Sequence, residues 1–125
     1  MSNDAGLPPL GYRKLIGWQK AMDFADRVCL VCDSIPAKRG AGLVPQLRRA
    51  VISIPSNIAE GHGRQTQQFL GYLRIAKGSL QEAATQLELL LRRGAAKTET
   101  LSQLLRDADE LGKILYGLMR SLSDD

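Results

Sequence analysis

The sequence predicts an all-α chain folded as an antiparallel, up-down-up-down four-helix bundle. Three observations predict it. Apolar residues recur at alternating steps of three and four over four segments. No segment alternates apolar and polar residues as a half-buried strand would. Breaks of only a few residues, bearing Gly or Pro, separate the segments, and connections that short make neighbouring helices antiparallel. The chain has 125 residues, enough for one domain with its own core. Residues 1–11 read as a flexible lead-in and residues 12–123 as the bundle domain.

The first helix is expected from about Tyr12, with Trp18, Met22, Ala25, Cys29 and Cys32 on one face. Ile35-Pro36 stops it, because a residue before Pro is pushed out of the α region. Lys38 to Gly42 then reads as a loop. The second helix starts near Leu43 and aligns Leu47, Ala50, Val51, Ile54 and Ile58 in one stripe. Pro55 lies within its span, lacks a backbone donor, and is expected to kink it. Gly61 is the expected C-cap.

The third helix is expected to be capped by Thr66 and to carry Phe69, Leu73, Ala76, Leu80, Ala83, Leu87 and Leu90 in a heptad, ending at Gly94. The fourth opens near Thr98, with Leu101, Leu104, Ala108, Leu111, Leu115, Leu118 and Leu122 in the same rhythm. A mean apolar period of 3.5 favours near-antiparallel helix packing with left-handed supercoiling.

Some apolar residues fall off these stripes. Phe24 and Val31, Ile52 and Ala59, and Ile75 and Leu89 form lines at seven-residue steps or multiples of them, with Glu82 between the last two. These seven residues are the expected subunit interface of a homo-oligomer. Glu82, partly buried there, would need a cationic or hydrogen-bonding partner.

The composition bounds the function. Hydrophobic residues make up 44%, charged residues 24% and aromatics 5%, so the core must be aliphatic. The net charge is +4. Basic residues outnumber acidic ones by 9 to 5 in residues 1–65 and by 4 to 2 in residues 66–96, whereas residues 97–125 carry 4 against 6. The N-terminal segment has no apolar signal region, and no apolar run approaches the length of about 20 residues that spans a bilayer. A cytoplasmic location is therefore expected.

No catalytic, metal or cofactor constellation is found. Cys29 and Cys32 share a helix face, but zinc would need two more ligands, and the chain holds one His and no other Cys. They read as small core residues. Di-iron bundles need Glu-x-x-His motifs on two helices, and the only His, His62, is in a predicted turn. Ser53, Ser56 and Ser79 have only that His to activate them. Gly61-His62-Gly63-Arg64 follows no strand and lacks the Lys of a phosphate-binding loop. What remains is basic. Lys20, Arg48, Arg49, Arg64, Arg74 and Lys77 are the candidate nucleic-acid-binding residues, through charge-assisted bonds to phosphates. An oligomer would multiply a weak patch by the number of copies. The aromatic interleaving expected of a single-strand binder is missing, so contact with the nucleic-acid backbone, without base readout, is the expected mode. A protein-docking scaffold with no nucleic-acid role is the alternative.

The run from Gln46 through Arg48, Arg49, Pro55, Asn57, Glu60 and Gly61 to Arg64 is distinctive. With Trp18-Gln19-Lys20-Ala21, and with Ile75 to Leu80, Glu82 and Thr85-Gln86-Leu87, it resembles the four helix bundle protein family over about Tyr12 to Leu122. That family includes proteins encoded in intervening sequences of bacterial large-subunit ribosomal RNA genes. The resemblance implies a cyclic homopentamer. It also relates the chain to the accessory variability determinant of diversity-generating retroelements, a basic pentameric barrel that binds nucleic acid and a reverse transcriptase. RNA or DNA, and a protein partner such as a reverse transcriptase, are thus implied partners. Gln68 precedes Phe69 where relatives carry an acid, so the entry to the third helix is expected to differ. Asn57 and Glu60 read as a structural polar cluster that satisfies backbone groups freed by Pro55 and by the helix end.

Overall fold

The computed structural model describes residues 6–8 and 10–123. A 3-10 turn, Gly11–Lys14, leads into α1 (Ile16–Asp33). A single helical turn, α2 (Ala37–Gly40), is followed by α3 (Leu43–Gly61), α4 (Thr66–Arg92) and α5 (Thr98–Ser123). There is no strand among the described residues. Most of the expected lead-in, residues 1–5 and 9, lies outside the described residues.

The four long helices form a helical bundle in which each packs on two neighbours: α1 on α3 and α5, and α4 on α3 and α5. The register of cross-helix contacts gives direction to two of these pairs. Between α3 and α4, Ser53 meets Ser79 and Gln46 meets Gln86, so numbers rise on one helix as they fall on the other. Between α1 and α5, Arg27 reaches Asp107 while Gly17 lies against Leu115. Both pairs are therefore antiparallel.

The core is aliphatic. Leu47, Ile54, Ile58, Leu73, Leu87, Leu90, Leu101, Leu111 and Leu115 are fully buried. Burial of one such side chain contributes roughly 2 kcal/mol from removal of apolar surface from water. Every residue expected on the stripes of α3 and α4 is buried. On α5 the stripe is buried from Leu101 to Leu115, and Leu118 and Leu122 pack against it half-buried.

The face of α1 differs from expectation. The helix buries Gly17, Ala21, Phe24, Ala25, Val28 and Cys32. Trp18 and Cys29 are half-buried at its margin, and Met22 is 44% exposed. The true stripe is turned by roughly 70° from the one that the larger side chains suggest, at about 100° per residue. Phe24 is only 2% exposed, so it is a core residue and is not available to a subunit interface.

The helix ends also refine the expectations. Thr66 and Thr98 are the first helical residues rather than caps, and Gln65, the residue before Thr66, makes no side-chain capping bond. The loop expected at Lys38 to Gly42 holds α2 and turns through left-handed Ala41 and Gly42. α4 ends as expected at Gly94, whose positive φ of 63° closes a double cap. Ala95 N–H donates to the Leu90 carbonyl at 3.0 Å, and Gly94 N–H to that of Leu91 at 3.1 Å. Arg39 adds a bond to the Gly94 carbonyl at 2.9 Å, tying the α2 turn to the α4–α5 turn.

α3 continues through Pro55, which is buried. The neighbouring polar side chains bond back to the preceding turn. Ser56 Oγ donates to the Ile52 carbonyl at 2.7 Å, and Asn57 Nδ2 to that of Ser53 at 2.8 Å. At the end of the helix Arg64 Nε donates to the Glu60 carbonyl at 2.8 Å, which satisfies one terminal acceptor.

Candidate functional surfaces

Four helices in a ring leave four outer grooves, and their contents differ. The α3–α4 seam is tight and polar. A Cβ added to Gly61 would stand 2.7 Å from the Tyr72 Cβ, so the two backbones approach closely there. Further along, Ser53 and Ser79 share a hydrogen bond of 2.9 Å, and Asn57 Nδ2 donates to Ser53 Oγ at 2.9 Å. Gln86 is 6% exposed; its Nε2 reaches Glu82 at 3.2 Å and Gln46 at 3.4 Å, while its Oε1 is buried without a partner among the described residues.

The α1–α3 groove is apolar. It encloses about 450 Å³ between Trp18, Met22 and Cys29 on one side and Ile52, Pro55 and Ala59 on the other. The Tyr12 ring meets Trp18 edge-on at 5.2 Å, and the Arg13 guanidinium lies 5.6 Å from the Trp18 ring centre. Burial raises the pKa of the nearby Cys32 thiol, and the field of Arg48 only partly opposes that rise. Cys32 thus stays a protonated core residue at neutral pH rather than a thiolate nucleophile.

The residues expected at a subunit interface separate accordingly. Phe24 is in the core, and Val31 packs against it, half-buried. Ile52, 53% exposed, and Ala59 line the α1–α3 groove. Ile75 and Leu89 stand 53% and 41% exposed on α4, with Glu82 exposed between them and accepting the Gln86 bond.

The six basic candidates are dispersed. Lys20 lines a crevice between α1 and α5 with Asp23, Arg27, Asp107 and Glu110, an acidic setting. Arg48 bonds Asp33 at 2.6 Å, and that bond raises its already high pKa. Arg49 is exposed on α3. Arg64 is held by Glu60 and lies 5.1 Å from the Tyr72 ring centre. Arg74 is exposed on α4, and Lys77 lines the α4–α5 groove. No single patch gathers all six.

The α4–α5 groove contains residues that the sequence did not single out. It encloses about 530 Å³ over a floor of Leu80, Ala84, Leu105 and Ala108. Lys77 stands on its α4 wall, and Asp109, Lys113 and Tyr116 on its α5 wall. Lys113 pairs with Asp109 at 3.3 Å, and Tyr116 is 57% exposed. The company of Lys113 and Tyr116 with Lys77 depends on the α4–α5 register. Three acids near the middle of α5 divide between flanks: Asp107 and Glu110 line the α1 crevice, and Asp109 lines this groove.

No helix among the described residues is long and apolar enough to cross a membrane, and none of their His, Cys, Asp and Glu side chains cluster as a metal site. The sequence profile of the 23S rRNA-intervening sequence proteins matches residues 13–117. Among solved structures the chain is similar to a 1.70 Å crystal structure of a protein of unknown function from the S23 ribosomal protein family of Bacteroides thetaiotaomicron VPI-5482. The TM-score is 0.76 at 24% identity, covering 83% of this chain and 98% of that one, a likeness of fold alone. No curated protein matches.

Proposed function

For a chain that belongs to the 23S rRNA-intervening sequence protein family, we propose a non-enzymatic, homo-oligomeric accessory protein that binds RNA through its basic surface. One observation carries this reading. Ile52, Ile75 and Leu89 remain 53%, 53% and 41% exposed on ordered helices, while the core is filled without them. Apolar side chains held outward on two helices favour contact between copies. The subunit number proposed is five, as the sequence resemblance implies, and the location proposed is the cytoplasm.

Association supports RNA binding by mass action. Cations dispersed on one chain are repeated around a ring, so weak phosphate contacts add up. The net charge of +4 and a family name tied to 23S rRNA favour RNA as the polyanion. The expected result is a light-scattering mass of several chains and an RNA mobility shift that weakens steeply between low and moderate salt. A single-chain mass, or no shift at low salt, overturns the proposal. The apolar α1–α3 groove favours a second reading, a scaffold that docks a protein partner. Capture of the same partner with and without nuclease treatment separates the two readings.

A further inference from the structure

We propose that the α4–α5 groove is a single-stranded RNA site, in which a base stacks on Tyr116 while Lys77 and Lys113 hold the flanking phosphates. This rests on the reading of the protein as an RNA binder and gives that activity a place. Tyr116 is 57% exposed and lines the groove, so it is accessible to a ligand there. It shares the groove with Lys77 from the facing helix and with Lys113 one turn back on its own. Cations beside an exposed ring form the combination by which single strands are held: charge follows the backbone, and the ring takes any base by its face.

The groove has the dimensions and the lining for this. Its volume of about 530 Å³ lies within the range of ligand sites. Its floor of Leu80, Ala84, Leu105 and Ala108 is apolar and suits the flat face of a base. Gly112 also lines the groove, and a Cβ there would meet only Leu80 Cδ2, at 3.7 Å. The opposing group is Asp109, which also lines the groove and holds Lys113 at 3.3 Å. That pair is largely exposed, 79% and 72%, so it is weak and a phosphate can displace it. The α1–α5 crevice sets Asp23, Asp107 and Glu110 beside Lys20 and Arg27, and the rings on the other two flanks already hold cations of the chain, Arg13 on Trp18 and Arg64 on Tyr72, whereas the α4–α5 groove sets two lysines beside the Tyr116 ring.

The test is fluorescence anisotropy of a labelled single-stranded oligouridylate of about ten nucleotides, titrated with the full chain at several salt concentrations. Tyr116→Ala is expected to weaken binding about tenfold, while Tyr116→Phe, which keeps the ring, leaves it close to wild type. Lys77→Gln and Lys113→Gln each lower the slope of log affinity against log salt by about 0.7. Asp109→Asn tightens binding severalfold, a gain that a merely structural role would not give. Helical circular dichroism confirms folding, and Tyr116 is too exposed for its loss to open the core. RNA binding that is indifferent to Tyr116→Ala and to both lysine changes overturns this site and leaves the proposed function standing. A duplex of the same length that competes equally also overturns it, since stacked bases cannot reach the ring. Failure of the wild-type chain to bind any RNA removes both.

Discussion

The two flanks of α4 are built in opposite ways. Toward α3 the helix is pressed close: Gly61 admits the Tyr72 Cβ and Phe69 ring, and Ser53, itself held by Asn57, bonds Ser79 across the seam. Toward α5 the same helix leaves a groove of about 530 Å³, walled by lysines and a tyrosine. One flank spends small residues on closeness, and the other spends them on space. Gly61 and Gly112 illustrate the contrast, because a methyl group collides at the first and meets only ordinary contact at the second. A close seam fixes the register of the bundle, while an open one leaves side chains free to meet something else.

The contrast can be broken by substitution. Gly61→Ala has the largest expected effect, a loss of about 2 kcal/mol in chemical denaturation, because the Tyr72 Cβ is part of a helix and cannot swing aside. A neutral result would mean that the seam is looser than its geometry indicates. Ser53→Ala is next, costing about 1 kcal/mol by leaving Ser79 and Asn57 short of a partner in a half-buried seam. Adding Ser79→Ala should cost less than the sum of the two single changes, which a double-mutant cycle would reveal. Gly112→Ala has the smallest effect and the opposite sign. It should stabilise the chain by roughly 0.5–1 kcal/mol, since helix propensity improves without a clash. A loss of stability there would show that the α4–α5 flank is as tightly specified as the other.

The comparison also explains what could be read in advance. The seams of α3, α4 and α5 were legible because Leu and Ile at heptad spacing carry both the apolar signal and the packing. In α1 the two separate. Gly17 and Ala21 are buried, whereas Trp18 and Met22, the larger apolar residues, face the groove. Weighting by size therefore turned the predicted face and left Phe24 looking superfluous. The caps expected at Thr66 and Thr98 failed because each threonine is already helical. Lys77 was a candidate from its charge, but Lys113 and Tyr116 lie in a stretch whose net acidity concealed them. Their company with Lys77 is set by how α5 is phased against α4, which no local pattern encodes. The orphaned Gln86 Oε1 is similarly a product of packing and has no signature in the chain.

The placement of the sole tryptophan has a practical consequence. Trp18 lines the α1–α3 groove with the Tyr12 ring edge-on to it and the Arg13 guanidinium 5.6 Å from its ring centre. In the ring of helices that groove lies across the bundle from the α4–α5 groove. The molecule thus carries its one indole fluorophore on the side away from Tyr116. Emission from Trp18 will shift when the apolar groove is covered and stay still when Tyr116 is engaged, so unlabelled protein can be watched doing one thing or the other.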